Sequence, residues 1–173
     1  MAAVFVEVEG VLIAPPGPDT VLDEISLLPG VASSLARFRL RGVSVVAVTD
    51  APLTVALFPL LGERLKRLVA DQGGDLAAVY AATPAAPASW RKPRPGMLLA
   101  AGREHAIELS QSWLVGRSDA DAQAAGQAGC AGCVLVQRSE PPAQDYGIMV
   151  ALAQDLADAP RVMIPREGGC WHQ

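Results

Sequence analysis

The chain is poor in cysteine, with three in 173 residues, which excludes the disulfide framework that holds many small secreted domains together. Charged residues are also scarce, at 18%. Lysine and arginine gather only in short clusters such as Arg37–Arg41 and Arg91–Arg94. A nucleic-acid interface needs a basic face to neutralise phosphates, and a net charge of −4 argues against one here. No apolar run approaches the roughly 18 residues of a membrane span. The apolar opening carries Glu7 and Glu9 with no basic segment before them, which is not the pattern of a secretion signal. These absences lead to the expectation of a cytoplasmic protein that engages neither membrane nor nucleic acid.

What is present is apolar, 51% of residues, with much of the excess in alanine. Ala2–Val8, Val43–Thr49, Ala77–Ala82, Ser112–Gly116 and Cys133–Gln137 are short apolar runs that read as strands, with a weaker one at Tyr146–Val150. Between them, helices are expected at about Val31–Arg41, Leu53–Asp71, Pro95–Ala106 and Asp119–Ala128, with a last one near Leu152–Ala159. The continuous β-branched run VSVVAVT suits a strand covered on both faces. Strands alternating with helices and no hairpin signals imply a mainly parallel sheet in a Rossmann-like, three-layer α/β sandwich. One domain over residues 1–165 is expected, with a glycine-rich, flexible tail at 166–173. In such sheets ligands meet the carboxyl ends of the strands. That rule selects Glu7, Glu9, Thr49, Asp50, Lys92, Arg117 and Asp121.

At those strand ends the sequence becomes specific. VFVEVEGVL at 4–12 resembles the first motif of haloacid dehalogenase (HAD)-type phosphatases, hydrophobic-Asp-x-Asp-Gly. The segment 27–50, ending Val-Thr-Asp, looks like that family's helix and second motif, RKPRPGML at 91–98 like its third, and SWLVGRSDADAQAAGQAGC at 112–130 like its fourth. All four occur in order, closest to the branch of histidinol-phosphate phosphatase and heptose bisphosphate phosphatase. The resemblance implies a HAD-like fold with a minimal cap or none. It also implies roles. Glu7 takes the place of the carboxylate that attacks phosphorus, and Glu9 that of the acid/base. Thr49 and Lys92 stand where the family holds the phosphoryl oxygens, and Asp50, Arg91, Arg117, Ser118 and Asp121 are expected to bind phosphate or line the crevice with them.

The departures from the family pattern fall in the chemical centre. Glutamate replaces aspartate at positions 7 and 9, moving each carboxylate outward by roughly 1–1.5 Å, and a misplacement of about 1 Å can cost on the order of a hundredfold in rate. The second-motif asparagine is Asp50, and the fourth-motif metal aspartate is Arg117. The stretch AATPAAPASW lacks the cysteines and histidine of the branch's zinc loop. Replacing Asp by Arg changes the local charge as much as binding one Mg²⁺ would, so Arg117 is expected to pair with Glu7 or Glu9, the alternative being that it points to solvent. The expectation is therefore a pseudophosphatase with no cofactor and no metal, serving as a binding, regulatory or assembly module with a protein partner. The alternative is a divergent HAD-type hydrolase of a small phosphorylated metabolite, using Mg²⁺.

Other candidates weigh less. Cys130, Cys133, Cys170 and His172 supply zinc-type ligands. Against this, Cys130 ends a small-residue helix and Cys133 opens a strand, positions where cysteine is ordinarily a small buried apolar residue. His105 is expected as a surface histidine, and Arg37, Arg39 and Arg41 as a solvated helix end.

Overall fold

The computed structural model describes residues 1–58 and 60–163. Strands β1 (Ala3–Glu7), β2 (Ser44–Thr49), β3 (Ala78–Ala81), β4 (Trp113–Gly116), β5 (Gly132–Val136) and β6 (Met149–Ala153) form one sheet in the order β3-β2-β1-β4-β5-β6. Every pairing is parallel. The sheet is sandwiched by helices α1 (Val31–Leu40), α2 (Pro52–Ala56), α3 (Leu60–Ala70), α4 (Gly96–Glu104), α5 (Asp119–Ala128) and α6 (Ala159–Val162). This is the doubly covered α/β architecture expected from the sequence. Among the described residues no cap domain interrupts it. The tail at 166–173, including Cys170 and His172, lies outside the described residues.

Two apolar cores divide the side chains by the period-two alternation of the strands. On one face Val4, Val6, Val45 and Ala47 pack with Leu35 and Phe38 of α1 and with Leu61, Leu65 and Val69 of α3. On the other, Phe5, Val46, Val48 and Leu114 pack with Met97 and Ala101 of α4 and Ala122 and Ala125 of α5. Continuing the alternation past Ala3 and Phe5 puts Glu7 on the α4–α5 side.

Two elements differ from expectation. The helix expected over Leu53–Asp71 is two, α2 and α3. A proline stands between them at position 59 of the sequence, and proline disfavours helical backbone in the residue before it. The helix expected near Leu152–Ala159 is instead the end of a strand followed by a turn. Met149–Ala153 pairs residue for residue with Gly132–Val136, and the helical turn begins only at Ala159. Asp155 accepts backbone N–H bonds from Ala157 and Asp158 at 2.8 and 3.0 Å, and Pro160 sits in the first turn, where it is tolerated. The run MVALA is apolar without a period, so helix and strand are indistinguishable by pattern.

The packing of α5 generates a prediction in which two effects oppose each other. Alanine is better than glycine inside a helix by about 1 kcal/mol, so Gly126→Ala should stabilise by propensity alone. A Cβ at Gly126, however, would overlap the Tyr146 carbonyl oxygen and come within 3.3 Å of the Tyr146 Cβ. Overpacking of this kind costs about 1–3 kcal/mol. Gly126→Ala is expected to melt below the wild type, and a higher melting temperature would show that the loop at Tyr146 yields easily.

Candidate active site

Parallel strands deliver their carboxyl ends to one edge, where β1, β2 and β4 bring Glu7, Asp50 and the turn into α5 together. Lys92, from the segment before α4, enters among them. Its ammonium contacts the Glu7 carboxylate directly, lies 2.6 Å from Asp121 Oδ1 and 3.5 Å from Asp50 Oδ1. Asp50 Oδ2 also accepts the Lys92 backbone N–H at 2.9 Å. Lysine, glutamate and Asp121 are all buried, with side-chain exposures of 8%, 7% and 2%, so the ion pairs are screened little by water.

Asp121 serves two structures at once. Its Oδ2 accepts from the backbone N–H groups of Arg117 and Ser118, at 3.0 and 2.9 Å, and from the Ser118 hydroxyl at 2.8 Å. It thereby closes the N-terminus of α5, where the orphan amides and helix dipole favour an anion. Its Oδ1 holds Lys92. Gly116 makes this possible, since a Cβ there would lie 2.6 Å from the Asp121 Cβ.

Charge sharing sets the protonation of the cluster. Burial alone would lower the Lys92 pKa, but the carboxylates of Asp121, Glu7 and Asp50 outweigh it and hold the ammonium above its ordinary range. Burial works on Asp121 in the raising direction, and Lys92 with the hydrogen bonds at the helix start reverses it to a lowered value. Glu7 goes the other way: burial pushes it up to about 7, with Asp121 and Asp50 adding to the rise and Lys92 opposing it. The Lys92 ammonium, divided among three carboxylates, does not offset the burial of Glu7.

The remaining expected site residues occupy the periphery. Thr49 is buried at the end of β2, its Oγ1 accepting the Ala51 N–H at 3.3 Å. Arg91 is exposed, with Nη2 3.4 Å from the Thr83 carbonyl. Ser118 is exposed at the start of α5. Arg117 overturns the expectation of an internal ion pair. It is exposed, its Nη1 lies 3.5 Å from the Glu9 carbonyl oxygen, and it forms no salt bridge among the described residues. Lys92 has taken the place beside Glu7 because it enters from the buried side. Gly10, with φ of +78°, lets Arg117 lie across the loop after β1, since a Cβ there would come within 2.6 Å of the Arg117 Cδ and Cζ.

The sequence reading missed Thr54. It is fully buried in α2 and donates its hydroxyl to Glu9 Oε2 at 3.0 Å. No motif announces a threonine that meets its partner only because α2 folds back over the loop after β1. Cys130 and Cys133 are unpaired and buried, and burial raises both thiols, Cys130 to about 12, which leaves them no redox thiolate. His105 is half-buried, its ring edge-on to Tyr80 at 6.2 Å between centroids. Arg37, Arg39 and Arg41 are exposed.

A parallel sheet with a carboxylate at the end of β1, a lysine from the segment before α4 and an aspartate at the start of α5 defines a HAD-type phosphatase scaffold. A family model for HAD-hydrolase-like proteins matches residues 89–159. The D-glycero-D-manno-heptose-1,7-bisphosphate 7-phosphatase of Thermosynechococcus vestitus is 34% identical over 154 residues, covering 78% of each chain. The D-glycero-beta-D-manno-heptose-1,7-bisphosphate 7-phosphatase of Escherichia coli K12 is 29% identical over 80% of this chain and 81% of its own. A solved D,D-heptose 1,7-bisphosphate phosphatase from B. bronchiseptica, complexed with magnesium and phosphate, superposes with a TM-score of 0.72 at 27% identity, covering 92% of this chain and 96% of its own. The chain belongs to the HAD phosphatase family, in the branch that holds these heptose bisphosphate phosphatases.

These relatives revise two expectations. The expectation of no cofactor is corrected: a family member of nearly the same length is a complex with magnesium and phosphate. Reading the lost fourth-motif aspartate as the loss of the metal gave one ligand too much weight, because Mg²⁺ commonly rests on one or two carboxylates, water and substrate phosphate. The hydrolase alternative also fits the relatives better than a pseudophosphatase does. Among the described residues no helix is long and apolar enough to cross a membrane.

Two outcomes follow from the cluster. Lys92→Met leaves buried carboxylates uncompensated, and breaking a buried pair this way costs about 3–5 kcal/mol; denaturant unfolding should register that loss. The Glu7 pKa of about 7 exceeds its ordinary 4.5, so the folded protein holds this proton more tightly than the unfolded chain. Its contribution to stability is full below the unfolded value and is lost as pH rises through the folded one. In metal-free buffer, Glu7→Gln should flatten the fall in stability between those two values, and an unchanged pH profile would assign that slope to another group.

Proposed function

We propose that the protein is a HAD-type phosphohydrolase acting on a small phosphorylated metabolite in the cytoplasm, a sugar phosphate being the substrate class favoured by its relatives' names. The observation that carries the reading is the buried Glu7 carboxylate held at the end of β1 by Lys92. A carboxylate nucleophile needs a fixed position and an adjacent cation to take the charge that builds on the phosphoryl oxygens. Lys92 is anchored from behind by Asp121 at 2.6 Å, so it can shift its hydrogen bonds from Glu7 towards a phosphoryl oxygen without losing its place.

In this reading Glu7 attacks phosphorus as the leaving oxygen departs, and Glu9 gives that oxygen its proton. Glu9 then takes a proton from the water that cleaves the acyl phosphate, releasing phosphate and restoring Glu7. The Thr54 hydroxyl fixes which way Glu9 points. Among the described residues no three acidic, imidazole or thiol side chains hold a metal by themselves, but a Mg²⁺ that leans on substrate phosphate and water does not require that. Glu7 and Asp50, which already meet at Lys92, are the oxygen donors that would receive it. When bound it would supply Lewis-acid neutralisation of the phosphoryl oxygens.

One observation favours a second reading, a binding module without turnover: Lys92 directly caps the Glu7 carboxylate that would have to react. Kinetics separates the two. With Mg²⁺ and a panel of sugar phosphates, phosphate release is expected, falling by about a hundredfold or more in Glu7→Gln. Its rate should rise with pH as Glu7 ionises, at a midpoint drawn below the metal-free value of about 7 by the Mg²⁺ charge. No release from any member of the panel, or release indifferent to Glu7→Gln, would favour the binding module.

A further inference from the structure

The anion of a phosphate ester needs a cation with hydrogen-bond donors to spare, and Lys92 has few left. Its ammonium is divided among Glu7, Asp121 and Asp50, so the crevice floor carries three carboxylates to one cation. Arg117 at the mouth is in the opposite position. Among the described residues, the acidic side chains of Glu9, Asp119 and Asp121 each have another partner. The Asp119 carboxylate pairs with Arg138 and accepts from the Tyr146 hydroxyl at 3.4 Å. Asp121 is turned inward to Lys92 and to the first amides of α5. The Glu9 carboxylate is taken by Thr54. Among the described residues, what remains to the Arg117 guanidinium is one long contact, 3.5 Å, to the Glu9 carbonyl. The side chain is nonetheless placed, lying across Gly10 where no Cβ stands in its way.

We propose that Arg117 is a substrate-binding residue, its guanidinium receiving the phosphate group of a phosphate monoester at the crevice mouth. This rests on the phosphohydrolase reading for the substrate but not on turnover. A planar fork of donors suits two phosphate oxygens at once, and Arg117 is attached beside the carboxylate that would accept the phosphoryl group. The position is also one where the resemblance leads to an aspartate, so this contact belongs to this chain. Exposure, and the lack of an ion pair among the described residues, mean that the fold described does not depend on it.

The test is a calorimetric titration of the full chain with inorganic phosphate, with and without Mg²⁺, for wild type, Arg117→Gln and Arg117→Lys. Charge-assisted hydrogen bonds of this kind are worth about tenfold or more in affinity. Arg117→Gln is expected to weaken phosphate binding by at least that factor with its melting temperature unchanged, and Arg117→Lys to fall between. Should Arg117→Gln fold poorly, Arg117→Lys carries the same readout, because it keeps the charge and loses the fork. Equal affinity in all three proteins would overturn the proposal, as would a wild type that binds no phosphate. Binding through Arg117 without turnover of any sugar phosphate would sink the phosphohydrolase reading alone. Turnover with an unchanged KM in Arg117→Gln would sink the Arg117 assignment alone.

Discussion

The Lys92 ammonium is the point on which the crevice turns. It enters from the segment before α4 and ties the end of β1, through Glu7, to the start of α5, through Asp121. Asp121 in turn closes the first turn of α5. Three pieces of chain distant in sequence thus share one buried charge cluster, and the same contacts that set the helix at its angle to the sheet also set the carboxylate that faces the crevice. A cluster with more carboxylates than cations is not at an electrostatic minimum on its own. Burial raises Glu7, with the Asp121 and Asp50 charges adding to the rise, and under the proposed function the excess negative charge makes the crevice receptive to a cation that arrives with the substrate.

Much of this was legible in the chain itself. The continuous apolar runs at β1, β2 and β5 mark strands buried on both faces, and their alternation with helical segments leads directly to a parallel sheet. The carboxyl-edge rule then selects Glu7, Asp50, Lys92 and Asp121, which the fold brings together. What could not be read was the pairing within the group. From charge alone Arg117 and Lys92 are equivalent partners for Glu7. The difference is depth: Lys92 approaches from the buried side of the sheet edge, whereas Arg117 leaves the end of β4 toward solvent. Thr54 was hidden for a related reason, since the carboxylate its hydroxyl meets, Glu9, is 45 residues away in sequence. At the other end of the chain MVALA has no period to separate strand from helix, and only pairing with β5 decides it.

Glutamate at positions 7 and 9 is a change of reach rather than of chemistry. A carboxylate one methylene longer must be held from more sides to remain useful, and both are held: Glu7 by Lys92, Glu9 by Thr54. Such supports are what a longer nucleophile and a longer acid/base require if the reacting atoms are to stay aligned. In a crevice relieved of function, two buried carboxylates on one lysine would be a cost with no return, because apolar replacements of buried ion pairs are often neutral or stabilising.

The central claim is that Glu7 is the group that takes the phosphoryl from substrate. Acid quenching during turnover of a sugar phosphate with Mg²⁺, followed by peptide mapping, tests it most directly, because an acyl phosphate survives acid long enough to be located. The account predicts a phosphorylated peptide spanning Ala2–Val11, modified at Glu7 and absent from Glu7→Gln. Phosphate release with no phosphorylated peptide, or with the label on another residue, would contradict it.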